Sequence, residues 1–119
     1  MILVNEDDLT IDQVVKICSQ ASLKNQTMTF DSFGTSDVRY DTMDFLYAKA
    51  LTLEDAEKVV NQIKVEDYFE GPIENYDEER RKRKLWIFKK RALDMLLYIK
   101  IILFNKNRCI AVISFHEDR

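Results

Sequence analysis

One stretch in the last third of the chain decides the fold: LYIKIILFNKNRCIAVISF, residues 97–115. Its first part alternates with a period of two, which is typical of a β-strand with one buried face. Its last part, CIAVISF, is rich in β-branched residues and is the most strand-like segment of the chain. The polar residues Asn105, Lys106 and Asn107 separate the two parts. These features predict an antiparallel hairpin that turns at residues 105–107.

The strand before this hairpin shows the same alternation. Within the hairpin, Leu97, Ile99, Ile101 and Leu103 alternate with Tyr98, Lys100 and Ile102. Upstream, the segment LWIFKK at residues 85–90 places Trp86 and Phe88 on one side and Ile87 and Lys89 on the other. The pattern therefore predicts an antiparallel meander in the C-terminal third of the chain.

The chain before the meander has helical periodicity. Thr10 and Gln13 form a capping-box pattern ahead of an apolar stripe over residues 11–21. A second helix is predicted from Tyr40 to Ala50, and Thr52 caps a third. Helices followed by strands predict an α+β fold, with N-terminal helices packed on a small antiparallel sheet formed mainly by the C-terminal third.

The segments between these elements are predicted to be mostly irregular. Residues 24–37 are polar and are predicted as a loop, with a short extended piece around Met28 to Phe30. Glu66 to Phe69 is predicted as a short helical turn that ends at Gly71-Pro72. The acidic residues from Glu74 to Glu79 are predicted as an exposed connector.

Composition predicts one folded domain over residues 1–119. The chain has 46% hydrophobic residues, two Gly and one Pro, which is typical of a globular domain. Cys18 and Cys109 have no Cys or His at metal-ligand spacing, so we expect buried, reduced thiols. The acidic start, MILVNEDD, lacks the basic region of a signal peptide, and no apolar run reaches the ~20 residues of a membrane span. We therefore expect a cytoplasmic protein with no membrane association.

The net charge of −3 conceals a strong asymmetry. Residues 1–79 contain 6 Lys or Arg and 18 Asp or Glu, whereas residues 80–119 contain 12 and 3. A mainly helical, acidic part at residues 1–70 thus precedes a basic β-meander at residues 80–119. Such asymmetry indicates a polyanionic partner, and RNA is the partner that we predict. The predicted RNA-binding residues are Arg80, Arg81, Lys82, Arg83, Lys84, Trp86, Lys90 and Arg91.

Four residues of the meander form the predicted catalytic group: Lys89, Tyr98, Lys100 and His116. Tyr98 and Lys100 share one face of their strand, roughly 7 Å apart at about 3.3 Å per residue. The alternating residues on the next strand are Ile110, Val112, Ser114 and His116. If the two strands pair about residues 105–107, Tyr98 faces Ser114, and His116 lies within diagonal reach of Tyr98.

These side chains suit cleavage of RNA without a metal. The reaction needs a group that takes the proton of the ribose 2′-hydroxyl, a group that protonates the leaving 5′-oxygen, and cations around the phosphate. Histidine exchanges protons near neutral pH, so His116 is the predicted acid–base group. Tyr98 can donate a proton or position the substrate, and Lys89 and Lys100 can stabilise phosphate charge. We expect no metal or other cofactor, because the acidic residues are scattered.

A family resemblance rests on four segments in order: LTLEDAEKVVNQIKVEDYFEGP (residues 51–72), LWIFKK (85–90), LYIKI (97–101) and VISFHED (112–118). They resemble successive blocks of the MqsR-type toxins of bacterial type II toxin–antitoxin systems, which share the RelE-like fold. The resemblance covers residues 51–118. It implies an endoribonuclease that cuts messenger RNA and is neutralised by an antitoxin protein.

The resemblance also implies roles for particular residues. In that family, a Tyr on the strand matching LYIKI and a basic residue directly after Ser-Phe are associated with cleavage, which here are Tyr98 and His116. The sequence departs from a well-known member at Glu70, where that protein has Lys, and at Ile87, where it has Gln. These departures leave open a changed substrate preference or a protein that binds RNA without cleaving it.

Two other interpretations stay open from the residues alone. In the first, a non-catalytic module binds RNA or an acidic protein through the basic surface from Arg80 to Arg91. Its binding would weaken steeply with salt, and no cleavage products would form. In the second, the acidic half neutralises the basic half within one molecule or across a homodimer. That interpretation predicts binding of neither RNA nor an antitoxin.

Overall fold

The computed structural model describes residues 9–30, 39–76 and 82–118, without the side chains of residues 39–41, 75–76 and 82–83. Within these ranges, three α-helices pack on a five-stranded sheet, which confirms the predicted α+β class. The helices are α1 (Ile11–Gln20), α2 (Arg39–Ala48) and α3 (Leu53–Asn61), and a 3₁₀ turn follows at Val65–Asp67. The strands are β1 (Met28–Thr29), β2 (Tyr68–Tyr76), β3 (Lys82–Ala92), β4 (Met95–Phe104) and β5 (Cys109–Glu117).

The sheet has the strand order β1-β5-β4-β3-β2. Strands β2 to β5 form an antiparallel meander, which was predicted from the sequence for β3, β4 and β5 but not for β2. The short extended piece predicted near Met28 is confirmed as β1, but it pairs parallel to β5. The sheet is therefore mixed, because its edge strand comes from the loop between α1 and α2 rather than from the meander.

The predicted capping box of α1 is confirmed, and so is the predicted N-cap Thr52 of α3, which proves to be part of a second capping box. In α1, the Thr10 hydroxyl accepts a hydrogen bond from the Gln13 backbone N–H at 3.2 Å, and Gln13 Oε1 accepts one from the Thr10 N–H at 2.8 Å. In α3, Thr52 and Asp55 make the same reciprocal pair at 3.1 and 2.8 Å. The hydrogen bonds from Thr52 lower the pKa of Asp55, because they favour its ionised form. Each helix thus begins where the sequence predicted.

The end of α1 is held by two side chains of α3. Asn61 Nδ2 donates to the carbonyl oxygens of Cys18 and Ala21, at 2.8 and 2.9 Å. A Glu57 carboxylate oxygen accepts from the Leu23 N–H at 2.6 Å. These bonds satisfy backbone groups that a helix end leaves unpaired, so the two helices are joined by polar contacts as well as by packing.

The main core lies between the helices and one face of the sheet, which we call the helix face. Its fully buried sheet residues are Met28, Phe88, Leu97, Ile99, Ile101, Ile110, Val112 and Phe115. A smaller apolar cluster on the opposite face contains Leu85, Ile102, Ala111 and Ile113. We call that opposite face the site face, because the catalytic candidates lie on it. Because the sheet is apolar on both faces at one end, its polar residues gather at the other.

Helix α2 lies along the edge of β5 that β1 leaves unpaired. Strand β1 pairs only with Ile110 and Ala111. Farther along β5, the Phe115 N–H donates to the hydroxyl of Thr42 on α2 at 3.1 Å, and Thr42 is buried. A side chain thus replaces the missing strand as the acceptor for this edge N–H.

The predicted helical turn before the meander is confirmed in part, as the 3₁₀ turn at Val65–Asp67, but the segment that follows is strand β2 rather than a turn and an irregular connector. The helical turn is limited to Val65–Asp67, and β2 continues through Gly71 and Glu74 to Tyr76; the rest of the predicted connector lies outside the described residues. Two register shifts let β2 pass the irregular Gly71-Pro72 step. Gly71 has φ +130°, and a Cβ there would lie 2.7 Å from the Leu85 carbonyl oxygen. Only glycine fits this close approach.

The predicted pairing of the last hairpin is wrong by two residues at the site. Tyr98 lies opposite His116 rather than opposite Ser114. The turn spans residues 105–108. The register also shifts between Lys100 and Ile101 of β4, because Ile113 is an extra, bulged residue on β5. The predicted shared face is also wrong: Ile110 and Val112 belong to the helix face, whereas Ser114 pairs with Lys100 on the site face. A bulge changes the parity of strand alternation, which a sequence pattern cannot show.

The strands β3 and β4 are joined by a tight turn. Leu93 and Asp94 both have positive φ, at 54° and 61°, as in two-residue type I′ hairpins.

Cys18 and Cys109 are buried and form no disulfide, and burial raises the pKa of the Cys18 thiol to about 12. No helix within the described residues is long and apolar enough to cross a lipid bilayer.

Candidate active site

Three strands bring Lys89, Tyr98 and His116 into one row across the sheet. Lys89 of β3 lies directly opposite Tyr98 of β4, which lies directly opposite His116 of β5. Directly opposite residues in antiparallel strands point to the same face, so all three side chains are on the site face. The structure therefore brings together three of the four predicted catalytic residues, and all three are half-buried.

Tyr98 and His116 are stacked. Their ring centroids are 5.3 Å apart, and their planes differ by 10°. The stacked pair is possible because the bulge at Ile113 shifts the register of β5 and turns His116 toward the site face. Stacking holds the imidazole beside the phenol without a covalent or metal link, and it limits the rotation of both rings.

The tautomer of His116 follows from its hydrogen bond. Nδ1 lies 2.9 Å from the carbonyl oxygen of Glu117. A carbonyl oxygen can only accept, so Nδ1 carries a proton and donates it. In the neutral ring, Nε2 is then the nitrogen with the lone pair. His116 therefore has a nitrogen that can take up a proton from a bound molecule.

Lys100, the fourth predicted catalytic residue, lies in the neighbouring row. It pairs with Ile87 of β3 and Ser114 of β5, and its Nζ is 5.8 Å from the centre of the Tyr98 ring. Glu70 of β2 lies opposite Ile87 and is exposed. The ammonium group thus lies on one side of Tyr98 along the strand, while Lys89 and His116 flank Tyr98 across the sheet.

Lys89 has two partners that sequence analysis did not identify. Its Nζ is 3.3 Å from a carboxylate oxygen of Asp118 and 3.9 Å from the centre of the Phe69 ring. Phe69 is half exposed, at 52%. Phe69 was missed because strand β2 was not predicted. Asp118 was missed because nothing in its sequence context indicates a lysine 29 positions away.

The predicted RNA-binding residues divide between the two faces. Lys90 lies on the helix face, opposite Leu97, and its Nζ is 3.2 Å from Asp67. Trp86 is 3% exposed and belongs to the core, so its side chain is not accessible for the predicted contact with RNA. The positions of Lys90 and Trp86 both follow from the alternation along β3, because every second side chain of the strand points toward the helices.

The remaining basic candidates that the structure describes lie toward the two ends of β3. Arg91 shares the site face with Lys89 and is exposed. Lys84 Nζ is 3.8 Å from Glu74 of β2, an ion pair that supports partial neutralisation of the basic half by the acidic one. Lys82 and Arg83 lie in β3 without described side chains, and Arg80 and Arg81 lie outside the described residues.

The side chains present can carry out acid–base chemistry and bind an anion. No group of three or more His, Cys, Asp or Glu within the described part of the chain is arranged to hold a metal ion. The site face instead offers an imidazole, a phenol and two ammonium groups within neighbouring rows. Such a set can move protons and stabilise charge on a phosphate.

Comparisons with known protein families, with curated proteins and with solved structures found no match to this chain.

Proposed function

We propose that the protein is a metal-independent endoribonuclease of the MqsR type, acting as the toxin of a toxin–antitoxin pair in the cytoplasm. The observation that supports this proposal most directly is the stacked Tyr98–His116 pair with Lys89 and Lys100 beside it. The family resemblance and the strand geometry are separate arguments. They agree on Tyr98 and His116, which are 18 positions apart in sequence and adjacent in the sheet.

The proposed reaction is attack of a ribose 2′-hydroxyl on the adjacent phosphate. Nε2 of His116 takes the 2′-hydroxyl proton, and the 2′-oxygen forms a bond to phosphorus. The bond from phosphorus to the 5′-oxygen breaks, and the hydroxyl of Tyr98 protonates that leaving oxygen. The products are a 2′,3′-cyclic phosphate and a 5′-hydroxyl. Proton transfer from the histidine back to the tyrosine, directly or through water, restores the starting state.

The two lysines supply the electrostatic part of the proposal. Negative charge builds up on the non-bridging phosphate oxygens during attack, and ammonium groups near these oxygens stabilise it. Lys89 and Lys100 flank Tyr98 in two directions, across the sheet and along the strand. A phosphate seated over the Tyr98 ring edge would therefore meet positive charge on two sides.

Salt-sensitive RNA binding without cleavage is the second candidate function. It is favoured by one observation: the position between Glu70 and Lys100 in their row is Ile87, which is apolar and 6% exposed. A row with fewer polar groups offers fewer hydrogen-bond donors to stabilise the charge that develops in the transition state of cleavage. In that case RNA would bind to the site face and remain intact.

The decisive experiment is incubation of labelled RNA with purified protein in EDTA, using wild type, His116→Ala and Tyr98→Phe. We expect wild-type cleavage and a loss of about 10²–10⁴-fold in each variant, which is typical for one positioned acid–base group. Tyr47→Phe is the matched control, because Tyr47 is 89% exposed on α2 and lies outside the site. Full activity of His116→Ala would contradict the proposal, and RNA binding without products would support the second candidate.

A further inference from the structure

Asp118 forms an ion pair with Lys89, which lies in the same row as Tyr98 and His116. Its oxygen is 3.3 Å from Lys89 Nζ, and its side chain is 20% exposed. The Asp118 N–H also donates to the Leu96 carbonyl oxygen at 2.8 Å, which extends the β4–β5 pairing beyond the end of β5. The backbone of Asp118 is thus held by the sheet, so its carboxylate stays close to Lys89.

The other described contact of Lys89, with the Phe69 ring, does not neutralise its charge. The face of the Phe69 ring lies 3.9 Å from Nζ and attracts the cation, but an aromatic ring cannot neutralise it. Asp118 is therefore the anion that balances Lys89 in the free protein. An RNA phosphate that approaches the Tyr98–His116 pair carries the same charge and the same kind of acceptor oxygens as this carboxylate.

We infer that Asp118 is an internal counter-anion that occupies the phosphate subsite of Lys89 and is displaced when RNA binds. This inference rests on the proposed function, because it assigns Lys89 a phosphate of the substrate. If the inference holds, Asp118 lowers the affinity for RNA, because a phosphate must first displace the carboxylate from Lys89. The contact is partly exposed to water, so its replacement costs little and RNA can compete.

The test measures affinity for a mixed-sequence RNA oligonucleotide with 2′-O-methyl groups, which cannot undergo 2′-hydroxyl attack. Removing the competing carboxylate with Asp118→Asn should tighten binding by about two- to five-fold, the range expected for a partly exposed ion pair. Asp94→Asn is the matched control. It makes the same chemical change at an exposed residue in the β3–β4 turn, at the same end of the sheet.

A double-mutant cycle with Lys89→Met separates competition from a general charge effect. Without the ammonium, Asp118 has nothing to compete for, so Asp118→Asn should no longer tighten binding beyond Asp94→Asn. Equal effects of Asp118→Asn and Asp94→Asn in the wild-type background would overturn the inference. A weaker affinity of Asp118→Asn would also overturn it, because the carboxylate would then only hold Lys89 in place.

The two proposals fail in different ways. If wild type cleaves ordinary RNA but Asp118→Asn binds the methylated RNA no better than Asp94→Asn, the inference alone is wrong. If neither wild type nor any variant binds RNA, the proposed function is wrong and the inference falls with it.

Discussion

The imidazole of His116 lies parallel to the phenol ring of Tyr98, with 5.3 Å between their centres, although the two residues belong to different strands. Aromatic pairs of this kind contribute about 0.5–1.5 kcal/mol beyond the area that they bury. The pair therefore has two separable properties. The rings stabilise the fold by contact, and the hydroxyl and Nε2 are available for proton transfer.

Substitutions at Tyr98 should separate these properties. Tyr98→Phe keeps the stacked ring and removes the hydroxyl, so we expect a large loss of RNA cleavage with little change in the free energy of unfolding. Tyr98→Leu also removes the ring and should lower that free energy by about 1 kcal/mol more. Urea unfolding and RNA cleavage measured on both variants check this. Equal unfolding free energies for the Phe and Leu variants would contradict the stacking contribution.

Arg91 should contribute to RNA affinity because it is exposed on the same face as Lys89. We expect charge reversal with Arg91→Glu to weaken binding and to reduce its dependence on salt, since one phosphate contact is lost. The control is Lys106→Glu, which makes the same change in net charge at the exposed β4–β5 turn, far from the row. Binding titrations at several salt concentrations compare the two. Equal weakening by both variants would mean that only net charge matters.

Gly71 should be intolerant of a side chain. Its φ of +130° is unfavourable for any residue with a Cβ, and the added atom would lie 2.7 Å from the Leu85 carbonyl oxygen. We expect Gly71→Ala to lower the free energy of unfolding by about 1–3 kcal/mol. The neighbouring exposed residue Glu70 serves as the control, and Glu70→Ala should change stability by less than about 0.5 kcal/mol. Urea unfolding of both variants tests this, and similar midpoints would contradict it.

The Cys18 thiol should be unreactive in the folded protein. Burial raises its pKa to about 12 because the thiolate would lose its solvation. We expect a thiol reagent at pH 8 to modify Cys18 only after unfolding, as measured by mass spectrometry with and without denaturant. Modification of Cys18 as rapid in native protein as in denatured protein would contradict its burial.

The same shift predicts a pH dependence of stability. The unfolded thiol ionises from about pH 9, whereas the folded thiol stays protonated until about pH 12. The contribution of Cys18 to stability is therefore complete below pH 9 and is lost as the pH rises toward 12. The difference in unfolding free energy between wild type and Cys18→Ala should fall across this range. A difference that stays constant with pH would contradict the raised pKa.

Local patterns in the sequence were enough to predict much of the fold. The capping residues Thr10 and Thr52 mark the starts of their helices, because the groups that they satisfy lie three residues away. The alternation in β3 and β4 predicted which residues share a face of the sheet, because side-chain direction in a regular strand depends only on position. Strand β2 was missed, since Gly71 and Pro72 interrupt its pattern and only pairing with β3 stabilises it there.

The sequence by itself determined the α+β class, the helix starts, and the presence of a tyrosine, a histidine and two lysines on neighbouring strands. Only the tertiary structure decided which of them meet. The bulge at Ile113 changes the direction of His116, and strand order brings Asp118 and Phe69 to Lys89. The physical reason is that periodicity acts over a few residues, whereas register and ion pairing depend on contacts between segments far apart in the chain.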